Sequence, residues 1–248
     1  MRSHLQKILG LGMVLCLGLT PACVKVDVSV RSLNGSGSIS NDDSWISIAE
    51  LKKRHTRVSC NPSAWEIARE PQETLAWCWA ASTRIVMEHF NKDHGTGTDS
   101  QCDIVNKTSR SLSSEATCCN TSIPAECIQG GWPSRVFDYY GFNYKKLAGA
   151  LNDWGALTGE ICSAGPFISV IEWNGGGKHT LVVQGYRYDS NSESPEKVVS
   201  IYDPLTDDFQ DVIFDEFTGG SLPQANGFIQ FSHYLNYVQI QPMTEDRS

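Results

Sequence analysis

"GPFISVIEWNGGGKHTLVVQGYRYDSNSESPEKVVSIYDPL", residues 165–205, holds three apolar, β-branched runs separated by two turn-forming breaks. Phe167 to Trp173 has strand composition, and Asn174 to Gly177 is a glycine loop. His179 stands at the head of "HTLVVQGYRY". The polar stretch Asp189 to Glu196 then leads into "KVVSIYDP". Strands joined by short turns pair antiparallel, so the third run returns beside the second. That return brings Asp203, at the end of the last run, back toward His179. Pro204 ends the strand by removing a backbone donor. The glycine loop does not hold phosphate: the G-x4-G-K-[ST] spacing fails and no helix follows. It reads as a loop that lets an extended chain approach beside His179.

A histidine next to a carboxylate calls for a nucleophile, and "QETLAWCWAAS", residues 72–82, offers one. Leu75 to Phe90 has helix-forming composition without internal Gly or Pro. With Thr74 as the cap, Cys78 falls in the first turn. The positive end of a helix favours thiolate over thiol. The other histidines are poorer bases for it. His4 belongs to the leader, His55 lies near a polar tether, His89 and His94 lie at or beyond the far end of the helix, and His233 sits in an apolar segment.

Gln72 precedes Cys78 by six residues, and Trp79-Ala80 follows it. This Q-x5-C-W-A arrangement resembles the active-site helix of papain-like cysteine peptidases. The "GKH…DP" wording resembles the compact bacterial members, such as bacteriocin-processing and effector-type peptidases. The resemblance implies an α+β fold: a helical, disulfide-bearing half with the Cys78 helix, packed on an antiparallel sheet from about Phe167 to Ile240. It further implies that Cys78 is the nucleophile, His179 the base, and Asp203 the residue that orients His179. Gln72 and the Cys78 backbone N–H would hold the oxyanion. The gap from Cys78 to His179, 179 − 78 = 101 residues, is shorter than papain's ~130–150. Asp203 stands where papain has Asn, and Leu75-Ala76-Trp77 replaces the usual second cysteine. The first two departures fit the compact relatives.

Peptide hydrolysis with no metal or organic cofactor is the expected reaction, on a protein or peptide substrate. The same triad serves amide transfer or deamidation. A binding protein on an inactive scaffold is a further alternative, weaker because all four chemical positions are present together.

Met1 to Lys7 carries Arg2 and Lys7, and an apolar run from Ile8 to Leu19 leads to Ala22, which reads as a signal peptide over residues 1–22. Cys23 resembles the lipidated cysteine of a bacterial lipoprotein, which would attach the protein to a membrane. Simple cleavage after Ala22 is the alternative. The expected product is secreted, periplasmic or lipid-anchored to the bacterial envelope. Residues 23–57 read as a polar tether, 58–242 as the catalytic domain and 243–248 as a tail. Loss of the leader leaves 18 bases against 28 acids, or −10, with no basic cluster, which argues against nucleic acid as a partner.

Export permits disulfides. With Cys16, Cys23 and Cys78 set aside, Cys60, Cys102, Cys118, Cys119, Cys127 and Cys162 remain. These six allow three bridges in fifteen connectivities. The adjacent Cys118 and Cys119 should reach different partners. No C-x2-C pair supports a zinc site.

Overall fold

The computed structural model describes residues 44–55, 60, 64–91, 99–109, 112, 117–188, 195–224 and 227–243. The expected signal peptide, Cys23, most of the expected tether, the tail from 244 and the turn 189–194 lie outside these residues. In chain order the elements are α1 (Ile48–Arg54), α2 (Cys78–Asn91), α3 (Gln101–Thr108), α4 (Pro133–Tyr140), β1 (Phe142–Ala148), α5 (Trp154–Ala164), β2 (Phe167–Trp173), β3 (Lys178–Tyr188), β4 (Lys197–Asp203), β5 (Asp208–Ile213), α6 (Phe214–Thr218), β6 (Ser221–Gln224) and β7 (Gly227–Pro242). Among the described residues, no helix is long and apolar enough to cross a membrane.

All strand pairs are antiparallel. The sheet runs β1-β7-β2-β3-β4-β5, with β6 added to β7. Strand alternation divides its side chains between two cores. Val182 and Tyr202 pack with Trp77, Ile85 and Val86 of the α2 region and with Phe137 of α4. Leu181, Val183 and Ile201 point the other way, against Leu51 of α1, Leu157 and Ile161 of α5 and Phe217 of α6. Burial on both faces is why β2, β3 and β4 read as nearly continuous apolar runs.

The α+β architecture agrees with the sequence reading, but three boundaries move. The expected tether reached residue 57, yet 44–55 is folded onto the domain. Ser47 and Glu50 form a capping box on α1, Leu51 is buried, and the Ile46 N–H donates to the Lys146 carbonyl at 2.8 Å. The sheet begins at β1, well before Phe167. And α2 starts at Cys78 rather than Leu75, because 74–77 is a turn in which the Trp77 N–H donates to the Thr74 carbonyl at 3.2 Å. Thr74 Oγ1 accepts from the Ala76 N–H at 3.3 Å and does not cap α2. The fully buried Trp77 ring fixes that turn, with its indole N–H on the Cys127 carbonyl at 2.7 Å. Burying an indole removes ~200 Å² from water and contributes about 5 kcal/mol.

Three disulfides close the described chain: Cys60–Cys162, Cys102–Cys119 and Cys118–Cys127. The adjacent cysteines do reach separate partners. Cys102, Asp103 and Cys119 lie together, but the two sulfurs are bonded to each other and offer no thiolate to a metal.

Candidate active site

The β3–β4 hairpin sets the geometry. Val182 pairs with Tyr202 and Val183 with Ile201, so His179 and Asp203 meet at the same end of the two strands. His179 Nε2 lies 2.7 Å from Asp203 Oδ1, and both side chains are buried. Asp203 Oδ1 also accepts the Leu205 N–H at 2.8 Å, a bond available because the chain turns sharply after Pro204. The Trp173 indole stacks on the His179 ring, with centroids 5.7 Å apart and planes 20° from parallel. With Nε2 committed to Asp203, the nitrogen left for chemistry is the buried Nδ1.

Cys78 is the first residue of α2 and, among the described cysteines, the one outside a disulfide. It lies near enough to His179 to affect the ring's proton affinity. Burial is the largest influence on His179 and disfavours the imidazolium. The Asp203 charge and hydrogen bond, followed by Cys78, outweigh it and push the pKa from 6.5 up to about 10. Burial likewise works to raise the Asp203 carboxyl. His179 and the backbone N–H groups of Leu205 and Thr206 overcome it and hold Asp203 below the ordinary carboxyl range. The arrangement therefore stabilises a charged pair inside the protein.

One turn beyond Cys78, Ser82 Oγ donates toward the Thr180 carbonyl at 3.2 Å and lies 3.1 Å from Thr180 Oγ1. This contact ties the cysteine helix to the strand residue next to His179. Gln72 is held beside the turn by its backbone, which donates to the Pro204 carbonyl at 2.9 Å. Its Nε2 donates to the Thr74 carbonyl at 2.7 Å, which uses one of two amide hydrogens, while Oε1 is buried without a partner among the described residues. All four residues singled out from the sequence thus belong to one region.

Sequence reasoning missed the wall beside the cysteine. The Trp79 indole N–H donates to the Gln129 carbonyl at 3.3 Å. A Cβ on Gly131 would stand 2.3 Å from the Trp79 ring, so only glycine fits there. The Cys118–Cys127 disulfide anchors this segment, so at least one bridge shapes the site directly. In the glycine loop between β2 and β3, Gly176 has φ +88°, a conformation that favours glycine, with nothing within 4 Å of a Cβ position.

A family model described as papain-like cysteine protease AvrRpt2 matches residues 63–220, a span that contains Gln72, Cys78, His179 and Asp203. The solved structure of digestive procathepsin L 3 from the larval midgut of Tenebrio molitor is similar at a TM-score of 0.44 and 13% identity, over 72% of this chain and 70% of that one. No curated protein matches the chain. The matched span covers more than half of the 248 residues, and the chain belongs to the family of the papain-like cysteine protease AvrRpt2.

Proposed function

We propose that this protein is an exported peptidase that cleaves peptide bonds with Cys78, His179, Asp203 and Gln72. The observation that carries the reading is the buried His179–Asp203 bond, which leaves Nδ1 for the one described cysteine outside a disulfide. In this mechanism Cys78 Sγ attacks the scissile carbonyl carbon as the thiolate and forms the C–S bond. At the first residue of a helix the backbone N–H points out of the helix end. That N–H and the Gln72 amide receive the developing oxyanion. His179 gives its Nδ1 proton to the leaving amine as the C–N bond breaks. A water then loses a proton to Nδ1, attacks the thioester and releases the acid, which regenerates the charged pair. Asp203 keeps the ring oriented and its charge balanced throughout.

Export is supported by the three disulfides, which persist in oxidising compartments. Whether Cys23 carries a lipid is a separate matter, read by mass spectrometry of the mature N-terminus. The test of the catalytic reading is labelling of the native protein with an epoxide inhibitor of cysteine peptidases, followed by peptide mapping. The expected result is a single adduct on Cys78, absent in Cys78→Ala and strongly slowed in His179→Ala. An unmodified Cys78 in protein with all three disulfides intact would overturn the assignment.

A further inference from the structure

Trp45, Trp132, Ser134, Lys146, Tyr234 and Tyr237 line an open groove of about 390 Å³ on the sheet. Its position relative to the site follows from strand register. Ile171 of β2 pairs with His179 on one side and with His233 on the other. Two strand spacings place His233, and Tyr234 after it, ~10 Å from His179, about three residues of extended peptide. Both rims connect to the site. Lys178, next to His179, sits with Nζ 4.3 Å from the Tyr234 ring centroid. Trp132 follows Gly131, which packs on Trp79, and its ring lies 5.7 Å from that of Tyr234.

The lining has an aromatic, amphipathic wall and a cationic end. Lys178 is neutralised by Glu172 at 3.2 Å. Lys146 is different: its Nζ lies 5.7 Å from the ring centroids of both Trp45 and Tyr144, and no carboxylate among the described residues pairs with it. Asp138, on the neighbouring α4, accepts the Tyr144 hydroxyl at 3.0 Å. Ser134 Oγ accepts the Tyr237 hydroxyl at 3.4 Å and also lies within hydrogen-bond reach of the Tyr144 hydroxyl. In a chain of net charge −8, an ammonium with no counter-ion among the described residues, in a groove that also holds the Ser134 hydroxyl, is a place for an anion.

We propose that this groove is a specificity subsite for an acidic side chain, Asp or Glu, two or three residues from the scissile bond of the peptide substrate. The carboxylate meets Lys146 and the Ser134 hydroxyl, while the aliphatic stem lies on the Trp132 and Tyr234 rings. The inference rests on the peptidase reading above and adds the chemistry of its substrate. It also gives the N-terminal segment a task, because Trp45 forms one side of the groove and is fixed there by its bridge to Lys146.

The experiment has two arms. In the first, the native protein and its Lys146→Met and Lys146→Glu variants cleave a positional peptide library. The native protein should prefer an acidic residue over its amide at one such position, by roughly fivefold in kcat/KM, the upper end for an ion pair open to solvent. Lys146→Met should bring that ratio to about one, and Lys146→Glu should turn the preference toward Lys or Arg. No acidic preference, or one that survives Lys146→Met, overturns the proposal. In the second arm, binding of an acidic peptide and its amide counterpart to Cys78→Ala protein is measured by calorimetry, with and without Lys146→Met. Acid-selective, Lys146-dependent binding without cleavage by native protein would sink the peptidase reading and keep the groove. Equal or absent binding of both peptides sinks the groove.

Discussion

Asp203→Asn separates the charge of the His179 partner from its shape. The amide oxygen can still take the His179 Nε2–H and Leu205 N–H, now 2.7 and 2.8 Å from Oδ1. Three N–H donors, from His179, Leu205 and Thr206, converge on the carboxylate, and an amide offers one acceptor oxygen in place of two. The structural cost should be about 1 kcal/mol. The electrical consequence is larger. His179 reaches about 10 against burial chiefly because of Asp203, so without that charge its pKa should fall to the ordinary 6.5 or lower. The sign follows: the imidazolium persists below the His179 pKa and is lost as pH rises through it, so the basic limb of kcat/KM should move down from about 10. At about one pH unit above 6.5, roughly a tenth of the molecules keep the charged pair, a tenfold loss that shrinks in acid. Asp203→Ala also removes the orienting bond and should cost about 10²–10⁴ at every pH. The assay is kcat/KM across the acid-to-alkaline range on one fluorogenic peptide, with circular dichroism to check the fold. A basic limb still near 10 in Asp203→Asn, or full activity in Asp203→Ala, would refute the reasoning.

Gln72→Ala should lower kcat about 10²–10³-fold through loss of one oxyanion donor, with KM little changed; a purely KM effect would remove Gln72 from that role. Gly131→Ala drives a methyl into the Trp79 ring and should cost about 1–3 kcal/mol in chemical denaturation together with much of the activity, and an unchanged midpoint would show that the contact yields freely. His55→Ala strips the buried Glu160 carboxylate of a donor 2.9 Å away and should cost about 3 kcal/mol, read as a Tm drop of about 10 °C. A Tm within error of the parent would mean that α1 contributes little to the fold.

How much of this was legible in the sequence depends on how local the cause is. The strands β2, β3 and β4 announce themselves because each is apolar and bounded by Gly, Pro or a polar turn. Cys78, His179 and Asp203 stand out as candidates because few residue types can attack, accept a proton or orient an imidazole. By contrast, β1 has the sequence Phe-Asn-Tyr-Lys-Lys-Leu-Ala, and its strand state comes from pairing with β7, far along the chain. The start of α2 is set by the burial of Trp77 rather than by Thr74. The Ser82–Thr180 contact joins residues 98 apart, and a serine in a helix carries no mark of such a partner. One signal was available and went unused: Ser47 and Glu50 are an S-x-x-E capping pattern, hidden by the polar composition before it.

The place of β7 in the sheet imposes an order on assembly. It is the last described strand to be synthesised, yet it lies between β1 and β2 and supplies Leu235 and Tyr237 to one core and Val238 to the other. β1 has no other strand neighbour among the described residues. Gly227 follows Cys78 by 227 − 78 = 149 residues, so the proposed nucleophile exists long before the frame that fixes it against the His179–Asp203 hairpin. Pairings of such sequence separation form late and slowly. On the proposed reading, a chain not yet extended through β7 therefore carries a cysteine but no competent site, and synthesis of that strand is itself a safeguard for the cell that makes it.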